Sequence, residues 1–195
     1  MKSSTALATL AASALLFAAS AVSAGPAPAA SSALEAAVKT AMKAPDDSFR
    51  DDFVREVWLK TMSARLAGII PDAAKRRKLL LAVHAEATHA GVPPALVLAI
   101  INVESNFDPW AVSSAGAQGL MQIMPFWLEE AGQPGDNLFD PRTNLRLGCT
   151  ILAYYLKRAD GDIALALQNY YGNRYGNGYS QRVLRFLATR WYWKD

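Results

Sequence analysis

Apolar residues recur every three or four positions along the chain from Phe53 onward, which is the spacing of amphipathic helices. The first run predicts a helix over about Asp51–Ala67. A second helix is predicted to begin after Asp72, a residue suited to the N-cap, and to stop at Gly91. Pro93 and the proline after it favour the start of a third helix, which runs up to residue 104.

The second half of the chain shows further helical stripes separated by polar loops. Residues 110–118 have little periodicity and predict a loop or a short irregular hairpin. Further helices are predicted from about Gly119 or Leu120, over the stripe Leu145–Ala159, from Ile163, and over Tyr179–Arg190, with a loop over residues 170–179. Because sustained strand alternation is absent from the sequence, the pattern predicts an all-α fold.

The third predicted helix is apolar around most of its circumference and ends on a carboxylate. Its residues Ala95–Val103 belong in a core, and Glu104 follows them directly. A carboxyl group leaving a core is costly to ionise, so its pKa rises unless a cation or several donors compensate. Asp108 precedes Pro109, which breaks the helix soon after Glu104 and places it at a rim. Glu104 is therefore a candidate general acid, although the same pattern taken alone also fits a solvated charge at a helix end.

The first 24 residues have the three parts of a secretory signal. Lys2 is followed by an Ala/Leu-rich stretch and by small residues at the expected cut, Val22-Ser23-Ala24. Residues 25–50 then predict a linker or low-complexity segment, within which a short Ala-rich helix can form. No later apolar run reaches about 18 residues, so we expect no membrane-spanning segment once the signal is cleaved.

Net charge and cysteine content exclude several classes of function and of site. The predicted signal holds one lysine and no other charge, so its removal lowers the formal net charge from +3 to +2, which is no signature of nucleic-acid binding. Cys149 is the one cysteine, which excludes an internal disulfide and a cysteine-rich zinc site. His84 and His89 have no Cys or acidic cluster at ligand spacing. We expect no metal and no cofactor.

A long motif follows the candidate acid. It reads Glu104-Ser105-Asn106-Phe107-Asp108-Pro109, then Gly116-Ala117-Gln118-Gly119-Leu120-Met121-Gln122, then Asn137-Leu138-Phe139-Asp140-Pro141. These segments resemble the soluble lytic transglycosylase (SLT) domain of bacterial cell-wall enzymes, which has a goose-lysozyme-like helical fold. The resemblance covers roughly residues 93–183 and implies a catalytic domain over residues 93–195, preceded by a helical extension over residues 51–92.

The resemblance also implies roles for particular residues. Glu104 would be the catalytic acid and base that cleaves the β-1,4 bond between N-acetylmuramic acid and N-acetylglucosamine of peptidoglycan and leaves a 1,6-anhydro end. Ser113, Gly119, Met121 and Gln122 would bind the glycan, with Gly119 permitting close approach of the backbone to the sugar.

The family usually has a Tyr-Asn pair before a glycine, and this chain departs from that pattern. Tyr170 takes the tyrosine position and Tyr171 replaces the asparagine, ahead of Gly172. By the resemblance, Tyr170 is predicted to position Glu104. The change to Tyr171 predicts reduced activity or an altered substrate preference.

Two alternatives stay open at this point. A lysozyme-type hydrolase needs a positioned water and a second carboxylate, for which Asp108 is the nearest candidate. A non-catalytic wall-binding protein would keep the groove and lose turnover. The replacement of the family's asparagine by Tyr171 suggests this alternative. Peptidoglycan glycan strands are the expected partner throughout, and the periplasm is the expected location.

Overall fold

The computed structural model describes residues 32–41, 52–132, 134–172 and 178–193 of the chain. Within them the regular structure is helical, and two isolated antiparallel bridges, Val112 with Gln118 and Gln118 with Ile123, pair short loop segments. The helices are α1 (Ser32–Ala41), α2 (Asp52–Leu66), α3 (Ala73–Ala90), α4 (Pro94–Glu104), α5 (Phe126–Ala131), α6 (Pro141–Arg158), α7 (Ile163–Tyr171) and α8 (Gly178–Phe186), and a π-helical segment (Leu187–Trp191) follows α8. The predicted all-α class is confirmed.

The predicted boundaries of α3 and α4 are confirmed by their cap geometry. The side chain of Asp72 accepts a hydrogen bond of 3.0 Å from the amide of Lys75 at the start of α3. Gly91 adopts a left-handed conformation with φ of 69° and ends the helix. Pro94 is the first residue of α4. An amide at this position has no acceptor within the helix, so proline breaks no hydrogen bond there.

Two predicted elements differ from the structure. No helix begins at Gly119 or Leu120, because the backbone is left-handed at Gly119 (φ 75°) and again at Gln122 (φ 53°), and α5 starts only at Phe126. In the other case α7 continues through Tyr171, where a loop is predicted, and ends at the left-handed Gly172. The spacing of apolar residues does not predict where the backbone becomes left-handed.

The apolar helix α4 lies at the centre of the domain. Its residues from Ala95 to Asn102 are buried, and it packs against α3, α8 and the π-helical segment. Trp191 of that segment is fully buried, and its indole nitrogen donates to the side-chain oxygen of Asn102 over 3.1 Å. A helix that is apolar on all sides is stable only when neighbours surround it, as they do here.

The helices before α4 share one core with those after it. Leu34 of α1 and Met62 of α2 are buried in the same cluster as the residues of α4 and α6. Glu86 of α3, which is 3% exposed, pairs with Arg146 of α6 through two contacts of 3.0 Å. A buried carboxylate needs such a partner, so this pair ties α3 to α6. The described part of the predicted extension, residues 52–92, and the described part of the predicted linker, residues 32–41, are thus packed against the rest of the domain.

The predicted signal, residues 1–24, lies outside the described residues. Among the residues that are described, no single helix is long and apolar enough to cross a membrane. The helices α3 and α4 meet the length and composition required only as a pair, which is bent by 119°.

Candidate active site

Glu104 is the last residue of α4 and is partly buried. Burial raises the pKa of its carboxyl from 4.5 to about 7, while a hydrogen bond from Tyr179 and the positive charge of Arg182 oppose the rise. Because the loss of solvation is the largest of these effects, about half of the Glu104 carboxyls keep their proton at neutral pH. This is the protonation state that a general acid needs, as the sequence predicts.

The chain turns sharply after Glu104, and the turn holds the end of α4 against the following loop. The hydroxyl of Ser105 donates to the carbonyl of Leu120 over 2.9 Å. Asn106 and Phe107 then take left-handed conformations with φ of 48° and 68°. Phe107 is buried, and its ring packs on that of Trp191 with a centroid distance of 5.4 Å. Tertiary packing therefore maintains a backbone conformation that phenylalanine rarely adopts.

A tyrosine hydroxyl contacts the Glu104 carboxyl directly, and it belongs to Tyr179. The hydroxyl donates to Glu104 Oε1 over 2.6 Å. Tyr179 stands in the first turn of α8 and is 3% exposed. Burial and the nearby Glu104 charge raise the pKa of Tyr179 well above its usual value, so the phenol remains a hydrogen-bond donor throughout the neutral range.

Tyr170, which the sequence predicts to position Glu104, has a different hydrogen-bond partner in the structure. Its hydroxyl donates instead to the main-chain carbonyl of Met121 over 2.9 Å. The physical reason is the packing of α8 directly against α4, which brings Tyr179 to the carboxyl. Tyr170 still lies close enough for the Glu104 charge to contribute to raising the pKa of its hydroxyl.

Two of the four predicted glycan-binding residues, Ser113 and Gln122, are partly exposed on the loop of residues 111–124. The Ser113 hydroxyl oxygen accepts the amide of Ala117 over 3.0 Å. The side-chain nitrogen of Gln122 donates to the carbonyls of Ala111 (3.2 Å) and Gly119 (2.9 Å). Both side chains shape the loop, and their contact with a glycan stays a prediction.

The other two, Gly119 and Met121, are buried and stabilise the loop from within. A side chain at Gly119 would overlap the side chain of Asn144 and the carbonyl of Leu138. Met121 is 0% exposed and fills the space left by Gly148 of α6, where a side chain would overlap its sulfur. Packing against α6 therefore requires a glycine at position 119. Their contact with a glycan stays a prediction, as it does for Ser113 and Gln122.

Asn144 joins α6 to this loop through two hydrogen bonds and makes a third to the segment before α6. Its side-chain oxygen accepts the amide of Met121 over 2.8 Å, and its side-chain nitrogen donates to the carbonyls of Gln118 (2.8 Å) and Leu138 (2.9 Å). The side chain is fully buried, so water cannot replace any of these hydrogen bonds.

Sequence reasoning does not select Asn144 or Tyr179 as site residues. The signal for Asn144 is an amide placed directly before the apolar stripe that begins at Leu145. Nothing local distinguishes Tyr179 from the other tyrosines between residues 170 and 179, because its role depends on which helix packs against α4.

The groups that act on Glu104 are a phenol and a guanidinium, and neither is a carboxylate. Asp108 is exposed, and its Oδ1 accepts the amide of Trp110 over 2.9 Å. Glu129 and Glu130 are exposed on α5. Within the described ranges no three His, Cys, Asp or Glu side chains lie together as a metal site. The site thus has one protonated carboxyl and one hydroxyl donor, and these groups are suited to proton transfer.

The surface also carries a groove of about 1000 Å³. It is lined by residues of α3, the start of α6 and the turn after α4, including Leu79, Ala82, Trp110, Lys75, Lys78 and Arg142, and Glu104 is not among its lining residues. The candidate active site is therefore identified by its chemistry and not by cavity size.

Comparison with known proteins points to the same region. The sequence model of one family, described as Transglycosylase SLT domain, matches residues 82–183, which include Glu104, Asn144 and Tyr179. The chain is 38% identical over 87 residues to Membrane-bound lytic murein transglycosylase C of Mannheimia succiniciproducens, a match over 40% of this chain and 24% of that protein. It is 32% identical over 149 residues to the protein of the same name from Yersinia enterocolitica, over 68% of this chain and 39% of that protein.

A solved structure, an inactive mutant of the lytic transglycosylase Slt from Pseudomonas aeruginosa, aligns with a TM-score of 0.42 and 30% identity. That alignment covers 54% of this chain and 17% of the other. The chain spans at most 39% of the length of the two curated relatives, so they extend well beyond the region that is shared.

Proposed function

We propose that this chain, which belongs to the Transglycosylase SLT domain family, carries the active site of a peptidoglycan lytic transglycosylase. The observation that carries the proposal is the partly buried carboxyl of Glu104, which has a pKa of about 7 and accepts a hydrogen bond from Tyr179. The similar proteins named above are lytic murein transglycosylases, which agrees with this chemistry. The proposed substrate is the β-1,4 bond between N-acetylmuramic acid and N-acetylglucosamine.

In the proposed reaction Glu104 acts first as an acid and then as a base. Its proton passes to the glycosidic oxygen as the bond from that oxygen to C1 of N-acetylmuramic acid breaks. The C6 hydroxyl of the same muramic acid then bonds to C1 and returns its proton to the Glu104 carboxylate. The product is a 1,6-anhydro ring, and no water is consumed. The substrate supplies its own nucleophile, so a second carboxylate is not required.

The two alternatives are less well supported. A lysozyme-type hydrolase would need a carboxylate opposite Glu104, whereas Asp108 is exposed and engaged with the amide of Trp110. A non-catalytic wall-binding protein would have no use for a protonated acid with a dedicated hydroxyl donor, which is costly to keep buried.

The test is product analysis of purified peptidoglycan digested by the wild type and by Glu104→Gln. We expect the wild type to release muropeptides with 1,6-anhydro ends in mass spectrometry, and the variant to lose at least about a thousandfold in rate, because a glutamine has no proton to transfer. Reducing ends would show a hydrolase instead. Equal rates for the two proteins would remove Glu104 from the mechanism.

Urea unfolding provides the folding control for that variant. The folded-state pKa of Glu104, about 7, lies above its ordinary value of 4.5, so the unfolded carboxyl ionises first and the wild type loses stability as the pH rises from 4.5 to 7. Glutamine does not titrate. We therefore expect Glu104→Gln to match the wild type near pH 4 and to be more stable at pH 8, by up to about 3 kcal/mol.

We also propose that the protein acts in the cell envelope, within the periplasm, on glycan strands as its partner. The predicted signal at residues 1–24 and the membrane-bound relatives support this location. Fractionation of cells that express the whole chain tests it, with N-terminal sequencing of the recovered protein. A mature protein that begins near Gly25 in the periplasmic fraction is expected, and an unprocessed cytoplasmic protein contradicts the proposal.

A further inference from the structure

Tyr171 stacks on the tyrosine that contacts Glu104. The rings of Tyr171 and Tyr179 are nearly parallel, at 10°, and their centroids are 4.2 Å apart. Tyr171 is 41% exposed while Tyr179 is 3% exposed, so Tyr171 forms part of the outer cover of the pair. The nearby Tyr171 also contributes to the raised pKa of Tyr179.

The stack joins the ends of two helices. Tyr171 is the last residue of α7, before the left-handed Gly172, and Tyr179 stands in the first turn of α8. Tyr179 carries the hydroxyl that donates to Glu104 Oε1 over 2.6 Å. A ring that is held flat against a neighbour loses freedom to rotate, and the direction of its hydroxyl depends on that rotation.

We propose that Tyr171 is a positioning residue of the active site, which holds the ring of Tyr179 so that its hydroxyl points at Glu104. The inference rests on the proposed function. Tyr171 acts through Tyr179 and touches neither the reacting bond nor Glu104 in this role. The departure from the family's usual residue at position 171 then supports activity, where the sequence alone predicts reduced activity or an altered substrate preference.

The other groups near this pair do not replace Tyr171. Arg182 of α8 acts on Glu104 through its charge. Tyr170 of α7 gives its hydrogen bond to the carbonyl of Met121. Both interactions involve groups other than the Tyr179 ring, whereas Tyr171 lies parallel to that ring.

Kinetics on soluble glycan strands test the proposal with three variants. We expect Tyr171→Ala to lower kcat by about three- to tenfold with little change in KM. The free energy of one aromatic stacking contact corresponds to a rate change of about this size. Tyr171→Phe keeps the ring and should stay within about twofold of the wild type. Tyr192→Ala, a matched loss of a tyrosine that is 56% exposed elsewhere, should leave kcat unchanged.

The double variant separates positioning from a general structural effect. If Tyr171 acts through Tyr179, adding Tyr171→Ala to Tyr179→Phe should lower kcat by less than about twofold, because the hydrogen bond is already absent. Equal losses in both backgrounds would overturn the proposal. So would a change confined to KM, which would show that Tyr171 only contacts the sugar.

A measurement that needs no turnover separates this inference from the proposed function. The Glu104 carboxyl can be titrated by ¹³C NMR in the wild type, Tyr171→Ala and Tyr171→Phe. The hydrogen bond from Tyr179 lowers the pKa of Glu104, so Tyr171→Ala should move the midpoint upward and Tyr171→Phe should not. An unchanged or lower midpoint in Tyr171→Ala overturns the inference. If the wild type cleaves no glycan yet the midpoint rises as expected, the proposed function alone fails.

Discussion

The protonation state of Glu104 depends on two opposing effects at a single carboxyl. Burial at the end of α4 raises its pKa to about 7, and the 2.6 Å hydrogen bond from Tyr179 restrains that rise. Burial follows from the apolar composition of α4, so the raised pKa could be predicted from the sequence. The donor could not, because Tyr179 lies 75 positions further along the chain.

At the residue scale we predict that Tyr179→Phe separates these effects. Phenylalanine keeps the ring that excludes water and removes the hydroxyl that favours the ionised carboxylate, so the pKa of Glu104 should rise further. Activity that requires the protonated acid should then extend to higher pH, seen as an upward shift of the basic limb of kcat/KM. The maximal kcat should fall about tenfold or more, because the carboxyl loses its orienting bond.

Tyr170→Phe is the control for that prediction. Its lost hydrogen bond belongs to the carbonyl of Met121, so we expect a lower unfolding midpoint and a basic limb at the wild-type pH. If the basic limb of the kcat/KM profile shifts in Tyr170→Phe and does not shift in Tyr179→Phe, Tyr170 has the positioning role that the sequence predicts.

At the scale of elements, the loop of residues 111–124 and helix α6 form one unit. The sequence predicts a helix near Gly119, but left-handed residues at 119 and 122 exclude it. Asn144 of α6 supplies hydrogen bonds to the loop that a helix would have made internally. The conformation of the loop thus depends on a residue 23 positions from Met121.

This arrangement predicts different outcomes for two glycines with similar backbone angles. Gly119→Ala adds a methyl group that overlaps Asn144 and Leu138 at a φ of 75°, and should lower the free energy of unfolding by about 3 kcal/mol or more. Gly116 has a φ of 86° with open space around it, so Gly116→Ala should cost only about 1 kcal/mol. Urea unfolding measures both, and equal losses would show that backbone angle alone matters at Gly119.

At the scale of the whole molecule, the helices on both sides of α4 are buried in a common cluster. Trp58, Met62 and Leu66 of α2 belong to it together with residues of α4, α6 and α8. The family match begins at residue 82, inside α3, so the region that defines the family begins part-way through a packed helix. The helix α2 is therefore part of the same buried core as the helices that carry Glu104 and Tyr179.

We predict that Met62→Ala destabilises the whole domain. Met62 is 0% exposed, and its truncation should lower the free energy of unfolding by about 2–4 kcal/mol in a single transition seen by both circular dichroism and tryptophan fluorescence. Val57→Ala, at a site 40% exposed on the same helix, should change it by less than about 1 kcal/mol. An early separate transition in Met62→Ala would show that α2 folds as an independent unit.

The sequence by itself determined the features that depend on neighbouring residues. The bounds of α3 and α4 follow from Asp72, Gly91 and the prolines before α4, because caps and breakers act within one helical turn. The elevated pKa of Glu104 follows from the apolar run before it, and the motif after Glu104 identifies the family.

Only the tertiary structure decided which side chains surround that carboxyl. It places the Tyr179 hydroxyl and not that of Tyr170 on Glu104, buries Met121 and Gly119 against α6, and stacks Tyr171 over Tyr179. These contacts join helices that are far apart in the chain. Their geometry depends on how the helices pack, which local propensity and apolar spacing do not encode.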